Sequence, residues 1–291
     1  MTAPVRLRRS VLFLPASNRR AIEKARILPA DALIFDLEDA VAPAAKDAAR
    51  AGLAPALTAG GYAPRELVVR VNALETPWGH ADLAAVATLP IDAVLLPKVE
   101  SGERVRLAGD LLDSLGAPPA LALWAMVETP LGVLAAAEIA AASPRLAALV
   151  LGTSDLTNAL RARDLPGRAP LLPSLGLVLL AARAHGRAIL DGVHLDLANA
   201  AAFAAVCRQG REVGFDGKTL IHPDQIAAAN AAFSPSDEEV ARARRLVDAY
   251  AEAAAAGTGA LRFEGRLVEA LHVEEARRLL AIADAIAARD G

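Results

Sequence analysis

Eight times along the chain, a short apolar run ends in a polar or charged cluster, and an alanine-rich stretch long enough for a helix follows. The runs cover residues 10–15, 32–39, 66–72, 93–100, 122–129, 146–155, 188–195 and 215–222. They are rich in Val, Leu and Ile and lack strict alternation, which is typical of strands buried on both faces. Eight such units predict an α/β fold, a closed (β/α)8 TIM barrel. In that fold the active site lies at the C-terminal ends of the strands.

Length, charge and cysteine content narrow the class of protein. The 291 residues fit one barrel of about 250 residues with a small extension. The formal net charge of −3 argues against a general nucleic-acid binder. Cys207 is the only cysteine, so no disulfide forms within the chain, as in a reducing compartment. The first apolar run is too short for a signal peptide, and none approaches the ~18 residues of a membrane span. We expect a cytoplasmic protein with no membrane or nucleic-acid partner.

The C-terminal residues differ from the rest. Ser236 to Glu239 form a helix-capping signature, and apolar residues then recur at helical spacing until a glycine break at 257–259. A last helix carries Leu271, Ala276, Leu279, Leu280 and Ala283 on one face. The pattern predicts a catalytic barrel over 1–235 and a helical extension over 236–291. The extension is either a lid over a neighbouring subunit or a helix that covers the bottom of the barrel.

Glu128 and Asp155 end the fifth and sixth runs, so they are expected side by side at the barrel mouth. Two carboxylates in one pocket raise each other's pKa, and a divalent cation removes that cost. Oxygen ligands in small number, with room left for water and substrate, suit Mg²⁺. The alternative is helix capping. It is weak for Glu128, because Thr129 supplies a cap, and stronger for Asp155, because Ser-Asp is an ordinary capping pair.

Arg70 lies inside the third run, where an arginine is costly unless it is paired. Its planar fork suits a carboxylate, either of a substrate or of a neighbouring acid such as Asp36 or Glu38. Asp36, Glu38 and Asp39 form the densest acidic cluster at a strand end. They are candidates to hold Arg70, to order metal-bound water or to act as bases, and Asp39 is also a candidate cap for the next helix.

Three further features indicate a particular chemistry less specifically. Lys98 ends the fourth run and is a candidate either for a Schiff base or for neutralising Glu100 or the acidic cluster. The Gly-Lys-Thr triplet at 217–219 lacks the upstream glycine of a phosphate-binding loop, because position 212 is Glu. His222 follows the eighth run and is either catalytic or simply packed.

The motifs RSVLFLPASNRRAIEKA, FDLEDAV, RVN, LLPKVE, VETPLG, GTSDL, DGVHLD and FDGKTLIHPDQI occur in an order and spacing that resemble a known family. This is the citrate lyase beta-subunit-like family of the HpcH/HpaI aldolase superfamily, which includes malyl-CoA and citramalyl-CoA lyases. The resemblance extends from about residue 9 to residue 235.

The resemblance implies a barrel that assembles as a homotrimer or a hexamer, with Mg²⁺ on Glu128 and Asp155 and the keto-acid carboxylate on Arg70. It also implies a coenzyme A thioester near the basic N-terminal segment, which contains Arg9, Arg19, Arg20 and Lys24. In the CoA lyases a C-terminal lid carries an aspartate that reaches a neighbouring subunit. Glu269 occupies that position here, and the proline of the lid motif is missing.

The resulting hypothesis is Mg²⁺-dependent retro-Claisen cleavage of a 3-hydroxyacyl-CoA, such as malyl-CoA or citramalyl-CoA, to acetyl-CoA and a 2-keto acid. Arg70 and Glu128 would contact the substrate, and Arg70, Asp36, Glu38 and Glu269 would serve the chemistry. The alternatives are a thioesterase acting on the same esters, a subunit that uses an acyl-carrier-bound substrate, and a non-catalytic binding protein.

Overall fold

The computed structural model describes residues 5–255 and 257–290. Within these residues, eight parallel strands form one barrel in which each strand pairs with the next and the last pairs with the first. The strands are β1 (Ser10–Pro15), β2 (Ala32–Asp36), β3 (Glu66–Arg70), β4 (Ala93–Leu96), β5 (Ala122–Val127), β6 (Leu146–Leu151), β7 (Ala188–Asp191) and β8 (Gly217–Leu220). The predicted closed barrel is confirmed.

Helices connect the strands on the outside of the barrel. They are α1 (Arg19–Lys24), α2 (Lys46–Thr58), α3 (Gly79–Val86), α4 (Gly102–Ser114), α5 (Pro130–Leu134), α6 (Ala136–Ala141), α7 (Thr153–Ala159), α8 (Leu172–Ala184), α9 (Ala200–Val213) and α10 (Ile226–Phe233). Thr129 caps α5 as predicted, because its Oγ1 accepts a hydrogen bond from the Gly132 N–H at 3.1 Å. In the described part of the chain, we find no helix with the length and apolarity needed to cross a membrane.

Two apolar layers build the barrel domain. Alternate strand residues such as Ile34, Val68 and Met126 fill the barrel interior, and the residues between them pack against the helices. Side chains of a strand point to opposite faces with a period of two. Asp36 and Arg70, at the ends of β2 and β3, therefore lie on the interior face of the barrel as well. The same alternation places Glu128, one residue beyond β5, on the interior face.

An ion pair and a cation–π contact of Arg8 lie at the N-terminal end of the barrel. Arg8 donates two hydrogen bonds to the Glu66 carboxylate, at 2.7 and 2.8 Å, and its guanidinium lies 5.0 Å from the Trp124 ring centroid. Gly217 begins β8 beside this end, and a Cβ atom there would lie 1.8 Å from the Arg8 carbonyl oxygen. Only glycine therefore lets β8 approach the segment that leads into β1.

The chain divides into two compact units, one spanning Arg8–Phe233 and one formed by the C-terminal residues from Ser234 with residues 5–7. The C-terminal unit contains α11 (Asp237–Ala255), the antiparallel strands β9 (Leu261–Phe263) and β10 (Arg266–Val268), and α12 (Ala270–Asp290). The predicted capping signature is present, because Ser236 and Glu239 exchange backbone–side-chain hydrogen bonds of 2.7 and 3.2 Å. The unit has its own small core around Leu246, Val268 and Val273. Leu271, expected on the packed face, is instead 61% exposed, because it lies in the first turn of α12, at the edge of that core.

Candidate active site

Arg70 and Asp36 form a buried bidentate pair at the ends of the neighbouring strands β3 and β2. The Arg70 Nε and Nη2 atoms donate to the two Asp36 carboxylate oxygens at 2.7 and 2.6 Å. Asp36 also accepts the backbone N–H groups of Glu38 and Ala40, at 2.9 and 3.0 Å. Each Asp36 oxygen thus accepts two hydrogen bonds, one from Arg70 and one from the backbone, so this carboxylate fixes Arg70 and has no lone pair left to act as a base. The predicted ion pair of Arg70 with a neighbouring acid is present, and its role in binding a substrate carboxylate stays a prediction.

The remaining arm of Arg70 faces the acidic cluster. Its Nη1 lies 2.9 Å from Glu38 Oε2 and 3.5 Å from Asp39 Oδ2. Asp39 caps no helix, since α2 begins seven residues later and follows a short 3-10 turn. Burial raises the pKa of Glu38, although Arg70 and Lys98 oppose the shift. Glu38 Oε1 accepts one hydrogen bond, from the Lys98 ammonium, so this oxygen keeps a lone pair that can take up a proton.

Glu128 is fully buried at the end of β5. Its Oε1 accepts the Lys98 backbone N–H at 2.8 Å, and its buried Oε2 has no hydrogen-bond partner among the described residues. The pKa of Glu128 is raised to about 8, mainly by burial and also by the charges of Asp155 and Glu38, while the Lys98 N–H and Arg70 act in the opposite direction. An unpartnered carboxylate oxygen beside other acids fits a divalent cation, which would remove this cost.

Asp155 lies half-buried in the first turn of α7, close enough for its charge to act on Glu128. The capping alternative for Asp155 is wrong, because α7 begins at Thr153 and Gly152 is its N-cap. A Cβ atom at Gly152 would lie 2.4 Å from both Cβ and Oε2 of Glu128. Glycine is therefore required for the end of β6 to reach Glu128. Glu128 and Asp155 are the residues that would hold Mg²⁺.

Lys98 adopts a left-handed backbone conformation, with φ of 48°. This conformation costs a non-glycine residue about 1–2 kcal/mol, and such strain concentrates at functional sites. The backbone N–H binds Glu128, the carbonyl accepts from Arg104 Nη1 at 2.8 Å, and the ammonium binds Glu38. Lys98 thus links the Glu128 side of the barrel mouth to the Arg70 side.

The state of the Lys98 ammonium bears on its predicted roles. Burial alone would lower its pKa, but Glu38 and Asp39 outweigh that effect and raise the pKa above its ordinary value. A Schiff base needs a neutral amine, so the structure favours the neutralising role over the Schiff-base role.

The residues predicted to contact coenzyme A lie in two different places. Arg19 and Lys24 are exposed on α1, and Arg19 lines a cavity of about 520 Å³ between α1 and α2. Arg9 precedes β1 at the opposite end of the barrel from Arg70, and its backbone and side chain both bond to Asp31 at 2.7–2.9 Å. We therefore leave Arg9 out of the proposed coenzyme A contacts.

Glu269 belongs to the C-terminal unit, between β10 and α12. Its side chain is exposed, and its backbone N–H donates to His272 Nδ1 at 3.1 Å. Its predicted role at a neighbouring subunit stays a prediction. His222 is half-exposed and caps the short helical turn after β8, where its Nδ1 accepts the Asp224 N–H at 3.3 Å.

Sequence reasoning missed a buried ionic cluster behind β7 and β8. Lys218 Nζ and Arg168 Nη1 bind the two carboxylate oxygens of Asp191 at 3.0 and 2.7 Å. Asp191 and Lys218 are both completely buried. The sequence signal was the lysine of the Gly-Lys-Thr triplet, an expensive residue in an otherwise apolar strand that demands a buried acid.

The comparison with protein families agrees with this geometry. The model of the family described as HpcH/HpaI aldolase/citrate lyase matches residues 9–223. The chain belongs to this family. Members of the family with curated names include a (3S)-malyl-CoA thioesterase of Cereibacter sphaeroides, which is 50% identical over 96% of both chains. The citrate lyase subunit beta of Escherichia coli is 39% identical over 96% of this chain and 94% of the relative.

A family member of known structure has the same fold. CitE of Mycobacterium tuberculosis, crystallised with magnesium, acetoacetate and coenzyme A, is 35% identical and superposes with a TM-score of 0.76. The match covers 94% of this chain and 97% of the CitE chain. A second structure from that organism, the citrate lyase beta subunit with oxaloacetate and magnesium, covers 78% of this chain with a TM-score of 0.65.

Proposed function

We propose that this chain is a Mg²⁺-dependent enzyme that hydrolyses malyl-CoA-type thioesters to the free hydroxy acid and coenzyme A. The observation that carries the proposal is the 50% identity to a (3S)-malyl-CoA thioesterase over 96% of both chains. The carboxylate pair and the fixed arginine at the barrel mouth agree with it, because they suit the hydroxyl and carboxylate oxygens of a hydroxy acid.

Each residue has a defined part in this proposal. Glu128 and Asp155 would hold the Mg²⁺, which when bound would neutralise charge on oxygen. Arg70, fixed by Asp36, would place a permanent positive charge beside the acyl group. Lys98 would orient Glu128 through its backbone N–H and Glu38 through its ammonium.

Hydrolysis also needs a base and an acid. The oxygen of a water molecule would bond to the thioester carbonyl carbon while Glu38 takes one of its protons. The carbon–sulfur bond would then break, and the leaving thiolate would receive a proton. Burial raises the pKa of Glu38 above its ordinary value, which favours its taking a proton from the water and returning it to the thiolate.

Carbon–carbon cleavage is the second candidate. It is favoured by the likeness to CitE, which was crystallised with magnesium, acetoacetate and coenzyme A. A base would take the hydroxyl proton, the bond between the hydroxyl-bearing carbon and its neighbour would break, and the resulting enolate carbon would take up a proton. Glu269 from a neighbouring subunit is our proposed acid for that step, which requires the predicted homotrimer or hexamer.

One assay separates these reactions. The purified protein is incubated with Mg²⁺ and malyl-, methylmalyl- or citramalyl-CoA, and hydroxy acid, free coenzyme A, acetyl-CoA, propionyl-CoA and keto acid are measured together. Hydrolysis gives equal amounts of hydroxy acid and free coenzyme A. Cleavage gives equal amounts of keto acid and a shorter acyl-CoA, which is acetyl-CoA from malyl- and citramalyl-CoA and propionyl-CoA from methylmalyl-CoA. The Glu128→Gln variant is the control for site-specific turnover.

The remaining outcome concerns partner proteins. The 39% identity to a citrate lyase beta subunit favours, as a third candidate, a subunit that acts on an acyl-carrier-bound substrate. Turnover of free thioesters by the lone chain excludes that dependence. No turnover of any of the three thioesters would overturn both hydrolysis and cleavage as functions of the isolated protein.

A further inference from the structure

A second cavity, of about 600 Å³, lies outside the carboxylate pair. It is lined by residues of α7, α9 and the segments within 164–171 and 193–199, among them Thr153, Ser154 and Asn199. Ser154 directly precedes Asp155, so the cavity begins next to the proposed metal ligand. Small-molecule sites have volumes of about 300–1,000 Å³ and a few converging polar groups.

Arg168 lines this cavity and is only 8% exposed. Its Nη1 donates to Asp191 Oδ1 at 2.7 Å and its Nε to Gln209 Oε1 at 2.9 Å. Its Nη2 is buried and has no partner among the described residues. A buried guanidinium N–H without an acceptor is costly, so this arm of Arg168 calls for an additional hydrogen-bond acceptor.

The backbone at Arg168 is unusual as well. Gly167 and Arg168 both have left-handed conformations, with φ of 77° and 53°, and Gln209 Nε2 holds the Gly167 carbonyl at 2.6 Å. Arginine tolerates this conformation poorly, and such strain persists where the surroundings impose it, commonly at ligand sites. The guanidinium is therefore held in one position before any ligand arrives.

The buried carboxylate beside Arg168 has no oxygen left for Nη2. Asp191 binds Arg168 Nη1 with one oxygen and Lys218 with the other. His194 also lines the cavity, and its Nε2 atom, like Arg168 Nη2, is buried and has no partner among the described residues. Burial, together with the charge of Lys218, lowers the pKa of His194, which favours the neutral ring, and a neutral ring carries one N–H.

We propose that this cavity is a second ligand site, in which the Arg168 guanidinium binds the carboxylate of a small organic acid. The exposed carboxylates of Asp164 and Asp196 also line the cavity. Their charges repel a phosphate dianion more strongly than a single carboxylate, which disfavours phosphate groups, including those of coenzyme A. The carboxylate has two sources, an extra carboxylate on the acyl group of the substrate or a free organic acid.

Binding is tested on the 291-residue chain without metal. Acetate, succinate and inorganic phosphate are titrated calorimetrically in the presence of EDTA into the parent and into the Arg168→Gln, Ala202→Leu and Arg183→Gln variants. Ala202→Leu fills the cavity and leaves every ion pair intact, so it decides the question even if Arg168→Gln fails to fold. Arg183 is the matched control, because it pairs with Asp216 outside the cavity.

We expect acetate, with its single carboxylate, to bind at least tenfold more tightly than phosphate. Arg168→Gln and Ala202→Leu should each weaken this binding at least tenfold, and Arg183→Gln should leave it unchanged. Absence of saturable carboxylate binding at millimolar concentrations would overturn the proposal. So would binding that is equally tight in a folded Ala202→Leu variant, since that result places the ligand elsewhere.

The source of the carboxylate is found by kinetics. If it belongs to the acyl group, Ala202→Leu raises the KM for citryl-CoA, which carries one more carboxylate, at least tenfold more than the KM for citramalyl-CoA. If it is a free acid, succinate changes the turnover of citramalyl-CoA by the parent and not by Ala202→Leu. This arm rests on the proposed function, whereas the titration does not, so the two can fail separately.

Discussion

Replacing Glu128 by glutamine should stabilise the metal-free protein while abolishing its metal site. Burial raises the pKa of Glu128 from 4.5 to about 8. Between these pH values the unfolded chain has lost the proton and the folded chain keeps it, so stability falls as pH rises. At about 1.4 kcal/mol per pKa unit, ionised Glu128 lowers the free energy of unfolding by up to about 5 kcal/mol above pH 8.

Glutamine removes this pH dependence and keeps an acceptor for the Lys98 N–H. Its amide group takes the place of the unpartnered Oε2, which costs about 1–3 kcal/mol. We therefore expect the variant to be more stable than the parent by about 2 kcal/mol at pH 9, and the difference to shrink toward pH 5.

The measurement is urea unfolding from pH 5 to pH 9 in EDTA, repeated with Mg²⁺. Mg²⁺ should stabilise the parent, since a ligand of the folded state raises its stability, and should have no effect on Glu128→Gln. Glu275→Gln is the control, because the Glu275 side chain is 68% exposed. Equal pH dependence in the parent and in Glu128→Gln, or equal stabilisation of both by Mg²⁺, would refute the reasoning.

Three further predictions follow from single residues. In the Gly152→Ala variant the new Cβ atom would overlap Glu128. We therefore expect Mg²⁺ binding to weaken at least tenfold in a calorimetric titration and the free energy of unfolding to fall by about 1–3 kcal/mol. Unchanged Mg²⁺ binding would contradict the proposed site. Lys98→Gly should be about 1 kcal/mol more stable than Lys98→Ala in urea unfolding, because only glycine adopts the left-handed conformation without strain; the reverse order would be a failure. Cys207 should react with a thiol reagent at pH 8 only after unfolding, because burial raises its pKa to about 11; rapid labelling of the folded protein would show that the thiol is accessible.

The sequence predicts the barrel well because its signal repeats eight times. Each apolar run and each following helix obeys local rules of period and capping, and these rules need no knowledge of distant residues. The ends of β2, β3 and β5 are predicted for the same reason, since the strand ends of a barrel meet at one face. Asp36, Arg70 and Glu128 do lie on that face.

The parts that sequence reasoning missed depend on partners far apart in the chain. Asp191, Arg168 and Lys218 come from three different segments, and no local pattern links them. The left-handed turn at Lys98 has no glycine or asparagine to announce it, because surrounding hydrogen bonds impose it. The capping interpretation of Asp155 failed because a glycine, selected by the close approach of Glu128, holds the cap position.

The seam between β8 and β1 has a consequence for how this protein is made. Ser10 pairs with Lys218, so the ring closes only after nearly the whole barrel sequence has left the ribosome. Contacts between such distant segments form slowly, because long loops must be ordered first. Lys218 must also lose its hydration shell and form its ion pair with Asp191 behind the sheet. Until then β1 and β8 are open strand edges, the kind of surface that pairs with other chains. Crowded, rapid synthesis should therefore be the condition under which this barrel aggregates.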